Sequence, residues 1–290
     1  MAFDDGHGEP SERGFRASHA MVLVPFVMVG VLASRTIIDN GFLWHIRAGA
    51  VQAAAKQVLT VDIFSYTANG EAWRTQAWLL ELGYAWMEGT FGGLAWANWM
   101  VFVLAITATG LLALSIFHST PAPIPTALIL VVGVWLMGPF VQPRPVLVSY
   151  VLSIALVVIL QHRDRMLWTI VPLFWVWAAV HSSWPIGGLL LVTEWLRTRD
   201  QRIFRVGIAA AVATLLTAHG LGTWETVIKF GGSAETLALI EEWKVPDFVS
   251  VVQGPFLLIL FGIIVAAIRG RITMRDLITI VPFVIIGMNA

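Results

Sequence analysis

The chain has 290 residues, of which 58% are hydrophobic and only 12% charged, and its mean hydropathy is +0.79. A soluble domain carries about twice this charged fraction, so the composition predicts an all-α, polytopic membrane protein. The 18 basic residues are balanced by 18 acidic ones, which argues against a nucleic-acid partner, and the lack of cysteine excludes disulfides and thiolate chemistry.

In chain order, the polar residues 1–18 predict a disordered cytoplasmic tail, followed by a transmembrane domain over 19–290. Apolar segments separated by short charged joints then predict about nine transmembrane helices. They run roughly 20–38, 91–117, 126–141, 146–160, 166–180, 185–196, 206–218, 253–268 and 277–290. The last one ends at Ala290 without a charged flank, so we expect a C-terminally truncated sequence.

The basic joints between these segments predict the orientation. If the N-terminus is cytoplasmic, the inner joints are 161–165, 197–205 and 269–276, and with the tail they hold 11 of the 18 Lys and Arg residues. Cytoplasmic loops carry such an excess of basic residues. Two long segments, 39–90 and 219–252, are then extracytoplasmic loops.

The first long loop has helical periodicity at both ends. Residues 41–56 predict an amphipathic helix at the membrane interface, and 75–90 predict a second helix leading into the next span. Between them, the Asn-Gly turn in 64–73 indicates a small hairpin. On the first helix we expect an apolar face and a separate polar face, formed respectively by Phe42, Ile46, Ala50 and Ala53, and by His45, Gln52 and Lys56.

Two residues of the stretch 39-DNGFLWHIRAG-49 are candidates for catalysis. Asp39 follows the first span and could act as a general base or hold a divalent cation, or it could simply cap the next helix. His45 could move a proton or orient a phosphate, or it could be an ordinary interfacial histidine on the wet side of its helix.

Four further residues are candidates for binding a phosphate or another part of a substrate. Arg144 lies between Pro143 and Pro145, which stiffen the joint and would hold its guanidinium at the outer interface. Arg47 could bind a phosphate or only snorkel to lipid head groups. The other two candidates are His181, at an outer helix end, and Glu242, in the acidic and aromatic stretch 241–248.

Other chemistries have no signature in the sequence. Walker, GxGxxG, HExxH and GxSxG motifs are absent. The seven histidines have no zinc-ligand spacing, so a zinc site is not predicted, and the identity of any metal is unknown from the sequence.

Several motifs together resemble a known family. They are D-N-G-F-L-W-H-I-R-A-G from 39, V-D-I-F-S-Y-T-A-N-G-E-A-W from 61, Q-P-R-P from 142 and E-E-W-K-V-P-D-F from 241. This set resembles a bacterial family of uncharacterised multi-spanning membrane proteins, which is similar in layout to C-type (GT-C) glycosyltransferases. The resemblance covers about 39–248.

The resemblance implies a membrane glycosyltransferase that moves a sugar from a polyprenyl-phosphate carrier to an acceptor at the outer face of a bacterial inner membrane. Asp39 corresponds to the family's base or metal-linked carboxylate, and Mg²⁺ or Mn²⁺ is a candidate cofactor. At the position where the family pattern has a second acid, this chain has Gly41. The alternatives are a transporter or flippase-like protein for a lipid or small solute, or a catalytically silent structural or assembly protein.

Overall fold

The computed structural model describes residues 20–39, 41–232, 247–251 and 253–289. Within these ranges the chain is helical, with one isolated antiparallel bridge between Val61 and Ala72 and no strand. The predicted tail and Glu242 lie outside the described residues, so the structure does not bear on them. The all-helical prediction is confirmed.

Thirteen α-helices are described. In chain order they are α1 (Val24–Ala33), α2 (Gly41–Ala55), α3 (Trp78–Phe91), α4 (Ala95–Ser119), α5 (Pro123–Met137), α6 (Pro145–Gln161), α7 (Arg163–Met166), α8 (Ile170–Val180), α9 (Trp184–Thr198), α10 (Gln201–Leu215), α11 (Leu221–Gly231), α12 (Phe256–Ile268) and α13 (Met274–Asn289). Short 3-10 turns at 21–23, 138–140 and 167–169 extend three of them.

Two helical stretches are long and apolar enough to cross a membrane: α4, with 25 residues, and Pro123–Phe140, with 18. A bent pair, Pro145–Gln161 with Arg163–Val180, adds a third if it counts as one span, although its halves are inclined by 106°. These helices are compatible with a membrane protein. The membrane type and the cytoplasmic position of the N-terminus stay predictions.

The prediction of about nine spans is not supported by the described residues. Each predicted apolar segment does contain a helix, but most of these helices are too short. The 11 residues of α8, for example, rise only ~16 Å, whereas a bilayer core is ~30 Å thick. Apolar composition therefore predicted where the helices lie and overestimated how many of them span a membrane.

Two large apolar clusters form the core. One joins α1, α4, α5 and α6 around Val29, Ala105 and Leu147. The other joins α6, α8, α9 and α10 around Leu156, Trp177 and Val206. Because α6 contributes to both, its two ends define the two ends of the bundle, with Arg144 before its first residue and His162 after its last.

Ion pairs connect the three predicted inner joints at the His162 end of the bundle. Arg163 lies 3.3 Å from Glu194 and 3.8 Å from Asp200, and Arg202 lies 3.0 Å from Asp164. These pairs link the joints 161–165 and 197–205. A contact of 3.7 Å between Arg197 and Asp276 adds the third joint, 269–276. The three joints predicted to share one side of the membrane thus lie together.

Candidate functional site

Asp39 and Arg144 form an ion pair at the Arg144 end of the bundle. Arg144 Nε donates to Asp39 Oδ2 at 2.8 Å, and Nη2 donates to Oδ1 at 3.3 Å. Oδ1 also accepts the backbone N–H of Gly41 at 3.0 Å, at the first residue of α2. Asp39 thus ties down the start of this helix, as the capping interpretation predicts, and it holds the guanidinium of Arg144 as well.

Tyr84 fixes the joint that carries Arg144. Its side chain is fully buried, and its hydroxyl donates to the carbonyl of Pro143 at 3.1 Å. Burial raises the pKa of the Tyr84 phenol, and the nearby carboxylates of Asp39 and Glu81 raise it further, so the phenol stays a neutral donor. Asp39, Tyr84 and Glu81 therefore belong to one electrostatic neighbourhood.

Glu81 is the centre of a second polar group and was not among the predicted site residues. It is fully buried in α3, and its two oxygens have three side-chain partners. Oε1 lies 2.9 Å from Nδ1 of His45 and accepts the hydroxyl of Thr75 at 2.6 Å, while Oε2 accepts Nε2 of Gln52 at 2.7 Å. Because a carboxylate only accepts, His45 donates from Nδ1.

This network corrects the predicted faces of α2. The helix predicted over 41–56 is observed over Gly41–Ala55, but His45 and Gln52 face α3 through Glu81 rather than water, and Gln52 is buried. Ala50 and Ala53, predicted on the apolar face, are exposed. The hairpin signal in the same loop corresponds only to the isolated bridge between Val61 and Ala72.

The segment before α11 is linked to the same network. Nε2 of His219 lies 2.9 Å from the carbonyl oxygen of Thr75, and Arg74 pairs with Glu225 at 2.7 Å. The side chain of Arg74 also packs against Gly222, because a Cβ added to Gly222 would lie only 2.8 Å from Arg74 Nε. The two long segments predicted to share the outer side are therefore in contact.

His181 lies beside this network, immediately after α8. Its Nδ1 accepts the backbone N–H of Ser183 at 3.2 Å, and the Ser183 hydroxyl, 2.8 Å from Nδ1, accepts the indole N–H of Trp177. Burial, together with a smaller effect of the nearby His45, lowers the pKa of His181 from 6.5 to about 4. At neutral pH the ring is thus uncharged, with its proton on Nε2.

The lowered pKa of His181 predicts a pH dependence of stability. Between pH 6.5 and 4 the unfolded chain binds this proton and the folded chain does not, so the free energy of unfolding should fall as the pH falls through this range. Replacing His181 with Gln should reduce that fall. Thermal unfolding of both proteins between pH 4 and 7 measures the difference, and identical pH profiles would contradict the expectation.

One described candidate, Arg47, stands apart from these contacts. Arg47 is exposed on α2, and among the described residues it has no hydrogen bond or ion pair.

Glu81, Thr75 and Gln52 are the site residues that the sequence did not reveal. The available signal was the single acid of Glu81 within the apolar run 78-WLLELG-83.

The surroundings of Asp39 do not fit Mg²⁺ or Mn²⁺, which prefer several oxygen ligands. Both carboxylate oxygens of Asp39 already accept hydrogen bonds, and Gly41 supplies no second acid. Over the described ranges, no group of three or more His, Cys, Asp or Glu side chains could hold a metal ion.

An apolar cavity of about 430 Å³ lies between α6, α8, α9, α12 and α13. Trp177 connects it to the polar end, because its ring lines the cavity and its N–H bonds Ser183 beside His181. The lining is almost entirely hydrocarbon, including Gly187, Leu190, Phe256, Ile280 and Phe283.

The chain was compared with models of known families, with characterised proteins and with solved structures. None of the three comparisons gives a match, so the resemblance to GT-C enzymes stays an expectation from the motifs.

Proposed function

We propose that this protein is a membrane glycosyltransferase that takes a sugar from a polyprenyl-phosphate carrier. The observation that carries the proposal is the contact of 2.9 Å between His45 Nδ1 and the buried carboxylate of Glu81. A carboxylate on one nitrogen fixes the imidazole tautomer and leaves the other nitrogen, Nε2, as a proton acceptor. This is the arrangement of a general base.

The reaction then needs one proton transfer and one displacement. Nε2 of His45 accepts the proton of an acceptor hydroxyl, and the hydroxyl oxygen attacks the anomeric carbon of the sugar. The bond from that carbon to the phosphate oxygen breaks, the polyprenyl phosphate leaves with the electron pair, and the anomeric configuration inverts. No metal ion enters these steps.

Asp39 has a positioning role in this proposal. Its oxygens are occupied by Arg144 and by the N–H of Gly41, so it is less available as a base than His45. The guanidinium of Arg144 and the neutral Nε2–H of His181 are donors suited to the leaving phosphate. Exposed Arg47 is a further cation for the carrier.

The apolar cavity gives room for part of a hydrocarbon chain. It begins next to Trp177, whose partner Ser183 also contacts His181, so a carrier could lie with its tail in the cavity and its phosphate at the polar end. We place this polar end on the outer side of a bacterial inner membrane, because the basic joints lie at the other end of the bundle.

A transfer assay tests the proposal. Purified protein in lipid nanodiscs is incubated with radiolabelled polyprenyl-phosphate sugars and a mixture of candidate acceptors, with His45→Gln and Asp39→Asn alongside. His45→Gln should lower transfer by 10²–10⁴-fold, the range for loss of a general base. Asp39→Asn should weaken carrier binding more than it slows transfer at saturation.

The exposed Arg269→Gln at the other end of the bundle is the matched control and should keep wild-type transfer. Transfer that His45→Gln leaves unchanged would remove the assigned base. Carrier binding without transfer by the wild-type protein would instead favour the alternative, a lipid transporter or flippase.

A further inference from the structure

Two histidines that are far apart in the sequence meet at the His162 end of the bundle. The ring of His118, in the last turn of α4, and the ring of His162, just after α6, have centroids 4.7 Å apart and planes inclined by 52°. Both side chains are exposed. The 17 residues of α6 separate this pair from Arg144 by ~25 Å, so it belongs to a different part of the molecule from the site above.

The hydrogen bond of His162 prepares one nitrogen for a ligand. Its Nδ1 lies 3.0 Å from the carbonyl oxygen of Val158, and because a carbonyl only accepts, Nδ1 carries the proton. The lone pair is then on Nε2. Histidines that bind metals commonly donate their other N–H to a backbone carbonyl in this way, which fixes the tautomer and the ring orientation.

The surrounding backbone favours a cation. The C-terminal ends of α4 and α6 come together here, and the side chain of Gln161 ties them by donating to the carbonyl of Ser115 at 3.2 Å. Helix C-termini carry partial negative charge. Of the neighbouring cations, Arg163 is paired with Glu194 and Asp200, whereas Arg165 is exposed to solvent.

The spacing suits two imidazoles on one ion. With metal–nitrogen bonds of ~2.0 Å and a tetrahedral angle, two ring centroids lie ~5 Å apart, close to the observed separation. We propose that His118 and His162 bind one divalent first-row transition ion, with water completing its coordination. Imidazole ligands suit Zn²⁺, Cu²⁺ and Ni²⁺, whereas Mg²⁺ and Ca²⁺ prefer oxygen.

Calorimetric titration of the full chain in nanodiscs with Zn²⁺ tests this site. We expect one Zn²⁺ ion to bind per chain and Mg²⁺ not to bind. The affinity for Zn²⁺ should fall by about tenfold or more in His118→Gln and in His162→Gln alike. Replacing His7 and His19 together should leave the affinity unchanged. Both site histidines are exposed at helix ends, so the variants should keep the wild-type melting temperature.

Three results would overturn the proposal. They are no binding of Zn²⁺, binding that persists when His118 and His162 are both replaced, and binding that is lost in His181→Gln instead. As a second readout, Cu²⁺ bound to the wild type should give an electron spin-echo signal from two imidazoles, reduced to one in either single variant.

Discussion

Replacing Gly49 with alanine is expected to separate α2 from α3 and to lower the free energy of unfolding by about 3 kcal/mol or more. A Cβ at this position would lie 1.8 Å from the carbonyl oxygen of Glu81 and 2.4 Å from its carbonyl carbon. Both atoms are backbone, so no rotation of a side chain relieves the overlap. Ala85, whose Cβ would be 3.1 Å away, closes the other direction.

Gly83 gives a matched control on α3. A Cβ there meets nothing within 4 Å, and the residue is helical, so Gly83→Ala should be neutral or stabilise by up to about 1 kcal/mol through helix propensity. Thermal unfolding of both variants in the same nanodiscs compares them. Equal melting temperatures would mean that α2 and α3 do not make this contact.

The close approach at Gly49 also positions the candidate site. His45 and Gln52 flank Gly49 on α2, and both reach Glu81 on α3 because the two helix backbones touch between them. If the helices move apart, these hydrogen bonds lengthen together. Gly49→Ala should therefore reduce transfer as well as stability, whereas Gly83→Ala should reduce neither.

The sequence predicted the positions of most helices because long apolar runs bounded by charged residues, Pro or Gly form helices both in a membrane and in the core of a protein. The predicted segment 146–160 corresponds to α6, Pro145–Gln161, and 91–117 to α4, Ala95–Ser119. What it could not predict is how far a run continues as one straight helix. The break at His162 falls within the predicted joint 161–165, but the angle of 106° between the two helices depends on tertiary packing that no local pattern specifies.

Of the site, the sequence predicted individual residues and missed their pairing. Asp39 and Arg144 were selected separately, and only the fold brings these side chains, 105 residues apart, into contact. Glu81 was missed because a single acid in an apolar run is usually at an interface. Burying it requires partners from α2 and from Thr75, and no local pattern specifies these.

Replacing Glu81 with alanine is expected to cost about 3–5 kcal/mol of folding free energy. The change removes a fully buried carboxylate and leaves three donors without their acceptor, on His45, Gln52 and Thr75. Glu88→Ala is the control on the same helix. Glu88 accepts one hydrogen bond, from Trp96, so its loss should cost about 1 kcal/mol.

Glu81→Gln separates the structural role of this residue from its proposed chemical role. The amide keeps the volume and one acceptor oxygen, so the melting temperature should fall less than in Glu81→Ala. The negative charge that stabilises a protonated His45 is lost, however, and transfer should fall by about tenfold or more.

A double variant tests whether Glu81 acts through His45. If His45 is the base, His45→Gln with Glu81→Gln should be no slower than His45→Gln alone, because Glu81 acts through His45. Additive losses would instead mean that Glu81 acts independently of His45.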